Sequence, residues 1–284
     1  MTISNLTQSE TRSLHDAYEL YRSGNTAEAV RRVHDLTKSV TLPADRVGIG
    51  YYEVLWLVAS KRVSEAREQF SKIQSESLVL ARGTLDPEDR ELVAKLMVMV
   101  SFVEAKLLIE EGRKESALTI LDTLTIEYAT FLSSSDFEDI RNEVQILRGI
   151  LLVDARRYRE AQPLLDNASA PSGWEALVSH YKARTYFELS DFEKAKSLLL
   201  EALNQEAISI WSARSHYLLG RIYYGAAEFL NAKAEFEQCL KLADPDFVGA
   251  NKVFEWLEST AKALTVGSIS DAKDPRVGNK PRPN

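Results

Sequence analysis

Two segments of this chain are copies of one another at an offset of 37 residues, and no other feature narrows the possible folds as much. Trp174 matches Trp211, Ala176 matches Ala213, Arg184 matches Arg221 and Tyr186 matches Tyr223. Further along, Phe192 matches Phe229, Ala195 matches Ala232, Lys196 matches Lys233 and Leu203 matches Leu240. Each copy holds two amphipathic stretches of about a dozen residues, joined by a short polar turn such as Leu189-Ser190-Asp191. Apolar and small residues recur in both stretches at the three-to-four spacing of one helix face. The repeating unit is a helical hairpin.

Small residues sit where the two helices of such a hairpin must approach. Ala183 or Gly220 lies midway along the first helix, and Ala195 or Ala232 early in the second. The later copy reads Leu219-Gly220, Tyr223, Ala232, Phe236, Cys239 and, just past its second helix, Pro245. That pattern resembles the tetratricopeptide repeat, with His216 where that family has tryptophan and Cys239 in place of its last alanine. The resemblance implies an all-α, superhelical solenoid of about six helical hairpins plus a C-terminal capping helix.

Weaker copies extend upstream. They begin near Asn142 (Gly149, Leu152, Ala161, Leu165), Val98 (Ala105, Leu108, Gly112, Ala117), Val47 (Val54, Leu57, Ala66, Phe70) and Glu10 (Ala17, Leu20, Gly24, Ala29). The repeat offsets are 37, 51, 44, 34 and 37 residues. Two long steps have local causes. Asp86-Pro87-Glu88-Asp89 is a strong helix start, and that helix should reach about Glu111, leaving 75–85 as a loop or an extension of the preceding helix. Ser135-Asp136-Phe137-Glu138 resembles a capping box opening a helix through Ala155. The expected organisation is a tail over 1–9, a solenoid over 10–264 with its capping helix at 247–264, and a polar, Pro-rich, disordered tail over 265–284.

Chemistry is sparse. Four histidines show no His-x-x-x-His or His-Glu-x-x-His spacing, and a single cysteine excludes a disulfide framework and a Cys-based zinc site. The Gly48-x-Gly50 pair lacks a third glycine, and no phosphate-cradling Gly-Lys-Ser/Thr occurs. We expect no cofactor, no metal and no enzymatic activity. With 35 basic against 42 acidic residues the net charge is −7, which disfavours nucleic acid. The apolar stretch 92–109 is interrupted by Lys95, Glu104 and Lys106, so membrane insertion is not expected. The first ten residues lack a basic and an apolar region, which points to the cytoplasm.

The resemblance also implies a concave groove lined by the first helix of each hairpin. Its second, fifth, ninth and twelfth positions fall in the last two hairpins on Leu177, His180, Arg184, Phe187, Arg214, Tyr217, Arg221 and Tyr224. In the first two they fall on residues that include Tyr18, Tyr21 and Tyr51. Leu14 and Tyr18 replace the asparagine-containing set with which chaperone-binding members clamp a terminal carboxylate. The expected function is a protein–protein interaction scaffold or adaptor, binding a peptide segment or partner helix that is acidic with apolar anchors. Self-association of the tyrosine-rich end into a homo-dimer, or an unrecognised ligand-sensing or enzymatic site, are the alternatives.

Overall fold

The computed structural model describes residues 6–83, 86–204, 210–243 and 249–266. Among these there are fourteen α-helices and one 3-10 turn, and no strand. The chain divides into two compact units, 1–144 and 145–284, at a point inside one helix.

In the first unit, α1 (Gln8–Arg22) pairs with α2 (Thr26–Ser39), α3 (Pro43–Ala59) with α4 (Val63–Arg82), and α5 (Pro87–Glu110) with α6 (Lys114–Glu127). A short α7 (Ala129–Leu132) and the 3-10 turn at Ser135–Phe137 lead into α8 (Glu138–Asp154). The second unit continues with α9 (Tyr158–Asp166), the hairpins α10 (Glu175–Glu188)/α11 (Phe192–Leu203) and α12 (Ile210–Gly225)/α13 (Phe229–Leu242), and α14 (Ala250–Val266) packed on α13. With α8 and α9 joined by a turn at Arg156, the described residues hold six hairpins and a terminal helix, as the repeat offsets predict.

Every hairpin turns in the same way. One residue adopts the left-handed conformation: Gly24, Lys61, Gly112, Arg156, Ser190 and Ala227, with φ from 60° to 85°. The next residue donates its N–H five residues back, to Leu20, Leu57, Leu108, Leu152, Tyr186 and Tyr223, at 2.8–3.0 Å. The left-handed residue itself donates three residues back in all six. Together these bonds satisfy the last carbonyls of the first helix while reversing the chain. The spacing of the six turns reproduces the offsets 37, 51, 44, 34 and 37.

The small residues do what their positions require. Ala17, Ala29, Ala66, Ala105, Ala117, Ala161, Ala183, Ala195 and Ala232 are fully buried. A Cβ added at Gly220 would lie 2.7 Å from the Phe236 ring, and one at Gly149 would lie 2.6 Å from Leu165. Backbone approach at these points leaves no room for a methyl group.

Helix ends differ from expectation in several places. Helix α1 starts at Gln8 because Thr7 and Glu10 form a reciprocal capping box, a signal the sequence reading placed inside the tail. Asp86 caps α5 as expected, its carboxylate accepting from the Asp89 N–H at 2.8 Å. The segment after 75 extends α4 to Arg82, the second of the two arrangements expected for it. No capping box forms at Ser135–Glu138. The chain instead makes a 3-10 turn over Ser135–Phe137, and the preceding Ser134 hydroxyl donates to the Phe131 carbonyl. Helix α14 runs to Val266, whereas Pro245 and the tail over 267–284 lie outside the described residues.

Two outcomes follow. Ala227 holds φ at +64°, a conformation that costs any side chain, so Ala227→Gly should raise stability by about 0.5–1 kcal/mol in side-by-side denaturation. Ala232→Leu should lower it by about 1–3 kcal/mol, because the alanine is fully enclosed against Phe236 and its neighbours.

Candidate functional site

The first helices of the N-terminal unit carry an aromatic row. Tyr21 of α1 stacks on Trp56 of α3 with centroids 5.0 Å apart and planes 9° from parallel. Tyr52 meets Trp56 at 6.1 Å and Tyr51 edge-on at 5.1 Å. Tyr51 and Trp56 are buried, Tyr21 and Tyr52 half-buried, and Tyr18 is 43% exposed. Burial is the main cause that raises the Tyr21 and Tyr51 phenols; Glu143 adds to both, and Tyr52 and Asp139 add to Tyr51. Burial and Tyr18 raise Tyr52. All three are therefore neutral hydrogen-bonding groups at physiological pH. Lys106 reaches Glu143 at 2.6 Å and sits over the Phe102 ring, so α5 contributes a paired cation to the same acidic residue.

In the C-terminal unit the expected groove residues are mostly consumed by packing. Phe187 is fully buried in the core and meets Phe192 at 5.4 Å. Tyr224 is 6% exposed and packs edge-on against Trp256 of α14 at 4.8 Å. His180 is 6% exposed, flanked by Tyr181 and Trp211, with Nδ1 3.3 Å from the Ser215 hydroxyl. These three, together with Tyr51, were expected to face a ligand, and the structure places them in the interior instead. For His180, Phe187 and Tyr224 an aromatic side chain from a following helix, Trp211, Phe192 and Trp256 respectively, packs against the position.

The arginines and Tyr217 keep part of their surface. Arg184 pairs with Asp154 of α8 at 3.1 Å, with one third of its side chain exposed. Arg214 lies 4.7 Å over the Trp211 ring. Arg221 lies over Phe187 at 4.7 Å and near Tyr217 and Trp256 at 5.7 and 5.9 Å. Tyr217 is half-buried against Phe236. Guanidinium planes sandwiched by rings in this way tie α10, α12 and α14 together. The acid that engages Arg184 comes from the preceding hairpin.

The remaining chemistry-bearing residues are accounted for locally. Burial pushes the Cys239 thiol up to about 12, which makes it inert. His216 meets Glu235 at 2.6 Å, and His34 meets Glu53 at 2.7 Å. No group of three or more His, Cys, Asp or Glu among the described residues could hold a metal ion. No helix of the described residues is long and apolar enough to cross a membrane.

Sequence reasoning missed Tyr52 and Trp56, which complete the aromatic row. The Tyr51-Tyr52 doublet with Trp56 four residues beyond Tyr52 was the available signal, because that spacing puts two rings on one helix face.

Burial also sets a pH response. Desolvation, with smaller contributions from Arg184 and Arg214, pushes the His180 imidazole down to about 3. The unfolded chain binds a proton at that residue below its ordinary value near 6.5 while the folded chain does not. Stability is therefore full above pH 6.5 and is lost as pH falls from 6.5 toward 3, with a slope approaching about 1.4 kcal/mol per pH unit from this group. His180→Gln should flatten that acid limb in denaturation measured across pH 4–7.

Comparison with known proteins agrees with this architecture. The tetratricopeptide repeat family profile matches residues 213–246, the hairpin α12/α13. DnaJ homolog subfamily C member 3 of Gallus gallus is 26% identical over 219 residues, covering 74% of this chain; the chain spans 38% of that relative's length. A tetratricopeptide repeat protein of Parabacteroides merdae superposes with a TM-score of 0.52 at 14% identity, covering 95% of this chain and 98% of the other. The C-terminal part of a repeat protein of Cytophaga hutchinsonii gives 0.48 at 15% identity, covering 93% and 92%. By these comparisons residues 213–246 match a tetratricopeptide repeat, and the chain as a whole has the fold of tetratricopeptide repeat proteins.

Proposed function

We propose that this chain is a non-enzymatic adaptor that binds a segment of a protein partner against the aromatic face of α1 and α3. The repeat fold is a protein-interaction scaffold in kind, and the observation that carries the finer reading is the row of rings at its N-terminal end. Tyr18 stands exposed beside the half-buried Tyr21 and Tyr52, so a partner meets an amphipathic surface of rigid rings with neutral hydroxyls. Such surfaces bind at low conformational cost, because tyrosine has few rotors to immobilise. The ligand in this reading is a short segment with apolar anchors, met in the cytoplasm. The acidic preference expected from the arginines is not part of this reading, since Arg184, Arg214 and Arg221 belong to the other unit and engage Asp154 and aromatic rings there. Nucleic acid is disfavoured by the net charge of −7.

The test is affinity capture from the source cell followed by quantitative binding with Tyr18→Ala. That side chain is exposed, so the melting temperature should be unchanged while affinity falls about tenfold. Undiminished binding would overturn the reading. Size measured across a dilution series shows in the same preparation whether the tyrosine-rich end instead meets a second copy of the chain.

A further inference from the structure

In the first unit, α2, α3 and α4 line a partly open cavity of about 260 Å³. It continues into a neighbouring one of about 180 Å³, and His34, Glu53 and Gln69 line both. Glu53 projects from α3 into this space with only 3% of its side chain exposed. One oxygen, Oε1, faces His34 Nδ1 at 2.7 Å. The other, Oε2, is buried and has no hydrogen-bond partner. An enclosed carboxylate normally satisfies both oxygens, because the desolvation of a charge is offset only by donors or an opposite charge.

The other charges around the larger cavity have partners of their own. Arg31 is held by Glu28 at 2.6 Å, Arg62 by Glu65 at 2.6 Å, and Glu68 by Lys72 at 2.9 Å. Two arginines and three glutamates line the larger cavity; the smaller one adds Lys38, Arg46, Lys72 and Glu76, of which Arg46 is held by Glu76 and Lys72 by Glu68, so the lining charges other than Glu53 are largely paired among themselves. One carboxylate and one imidazole already bonded to it fall short of a metal-ligand set, and none is found among the described residues. A donor-bearing cation is the chemistry that fits. Val30 and Leu57 on the lining supply apolar surface for its carbon stem.

We propose that this cavity binds an organic cation carrying N–H donors, an alkylammonium or guanidinium group, which donates to Glu53 Oε2. Gln69 offers a second acceptor beside it. The cation has two possible sources with the same chemistry: a free amine, or a lysine or arginine side chain of a protein segment. The site is independent of the aromatic face on α1 and α3.

The experiment titrates the full chain with n-butylammonium and with a capped pentapeptide holding one lysine, at constant ionic strength, by calorimetry. Tetramethylammonium, equally charged but without N–H, is the control. Wild type should bind butylammonium, Glu53→Gln should bind it at least tenfold more weakly, and tetramethylammonium should not compete. Tighter binding of the pentapeptide than of butylammonium assigns the site to a partner's side chain, and the reverse order to a free amine. Ala27→Trp plugs the cavity from an exposed helix position and should also abolish binding, which keeps the test intact if Glu53→Gln fails to fold. No binding by wild type, or equal binding by wild type and Ala27→Trp, overturns the proposal. Equal binding by wild type and a folded Glu53→Gln overturns it as well.

Discussion

The left-handed turn that closes each hairpin is the constraint from which the rest of this structure follows. Six times the chain places one residue at φ between 60° and 85° and returns a hydrogen bond five residues back. That bond ends the first helix at a set point and starts the second at a set angle, so the small residues of the two helices come opposite each other. Only with that register does Gly220 meet Phe236, and Gly149 meet Leu165, at distances that exclude a methyl group. Glycine fills the strained position in only two of the six turns. Lys61, Arg156, Ser190 and Ala227 hold it with side chains, so packing and the paired backbone bonds must outweigh a backbone cost of about 1–2 kcal/mol at each.

The two units use aromatic residues for different ends. In the first, rings of α1 and α3 stack on one another and leave Tyr18, Tyr21 and Tyr52 with surface to offer. In the second, the rings are spent on the arginines. Arg221 is bracketed by Phe187, Tyr217 and Trp256, which links the last hairpin to the terminal helix. Interleaved arginines and aromatics look alike in sequence whether they grip a ligand or each other. Here their mutual contacts, and the Arg184–Asp154 pair, favour a cohesive role, which is why the proposed binding surface lies at the other end of the chain.

How far the sequence could be read depended on whether a residue's role is repeated. Gly220, Ala195 and Ala232 recur at a constant offset, and their packing was legible from that alone. The turns at Lys61, Arg156 and Ala227 were not, because nothing in those residue types announces a positive φ. Family positions assigned His180, Phe187 and Tyr224 to a groove, but position on a helix does not reveal how large the next helix's side chain is. Trp211 and Trp256 cover the first and last of these. Glu53 and His34 lie 19 residues apart on different hairpins and form no motif, so their pairing exists only in three dimensions. Thr7 lay outside the expected helix because the repeat pattern, rather than the cap, was used to place its start.

The uneven repeat lengths have a consequence for how such a chain changes. Every hairpin turn has the same hydrogen-bond count, while the excess residues fall between hairpins: in the α4 extension to Arg82 with the 24-residue α5, and in the segment around α7 and the 3-10 turn. Length variation is thus channelled into one class of junction. An insertion at a turn would break two backbone bonds and shear the small-residue contact, whereas one between hairpins only lengthens a linker that already differs from copy to copy. The fold therefore has a grain, along which hairpins are exchangeable parts and across which they are not.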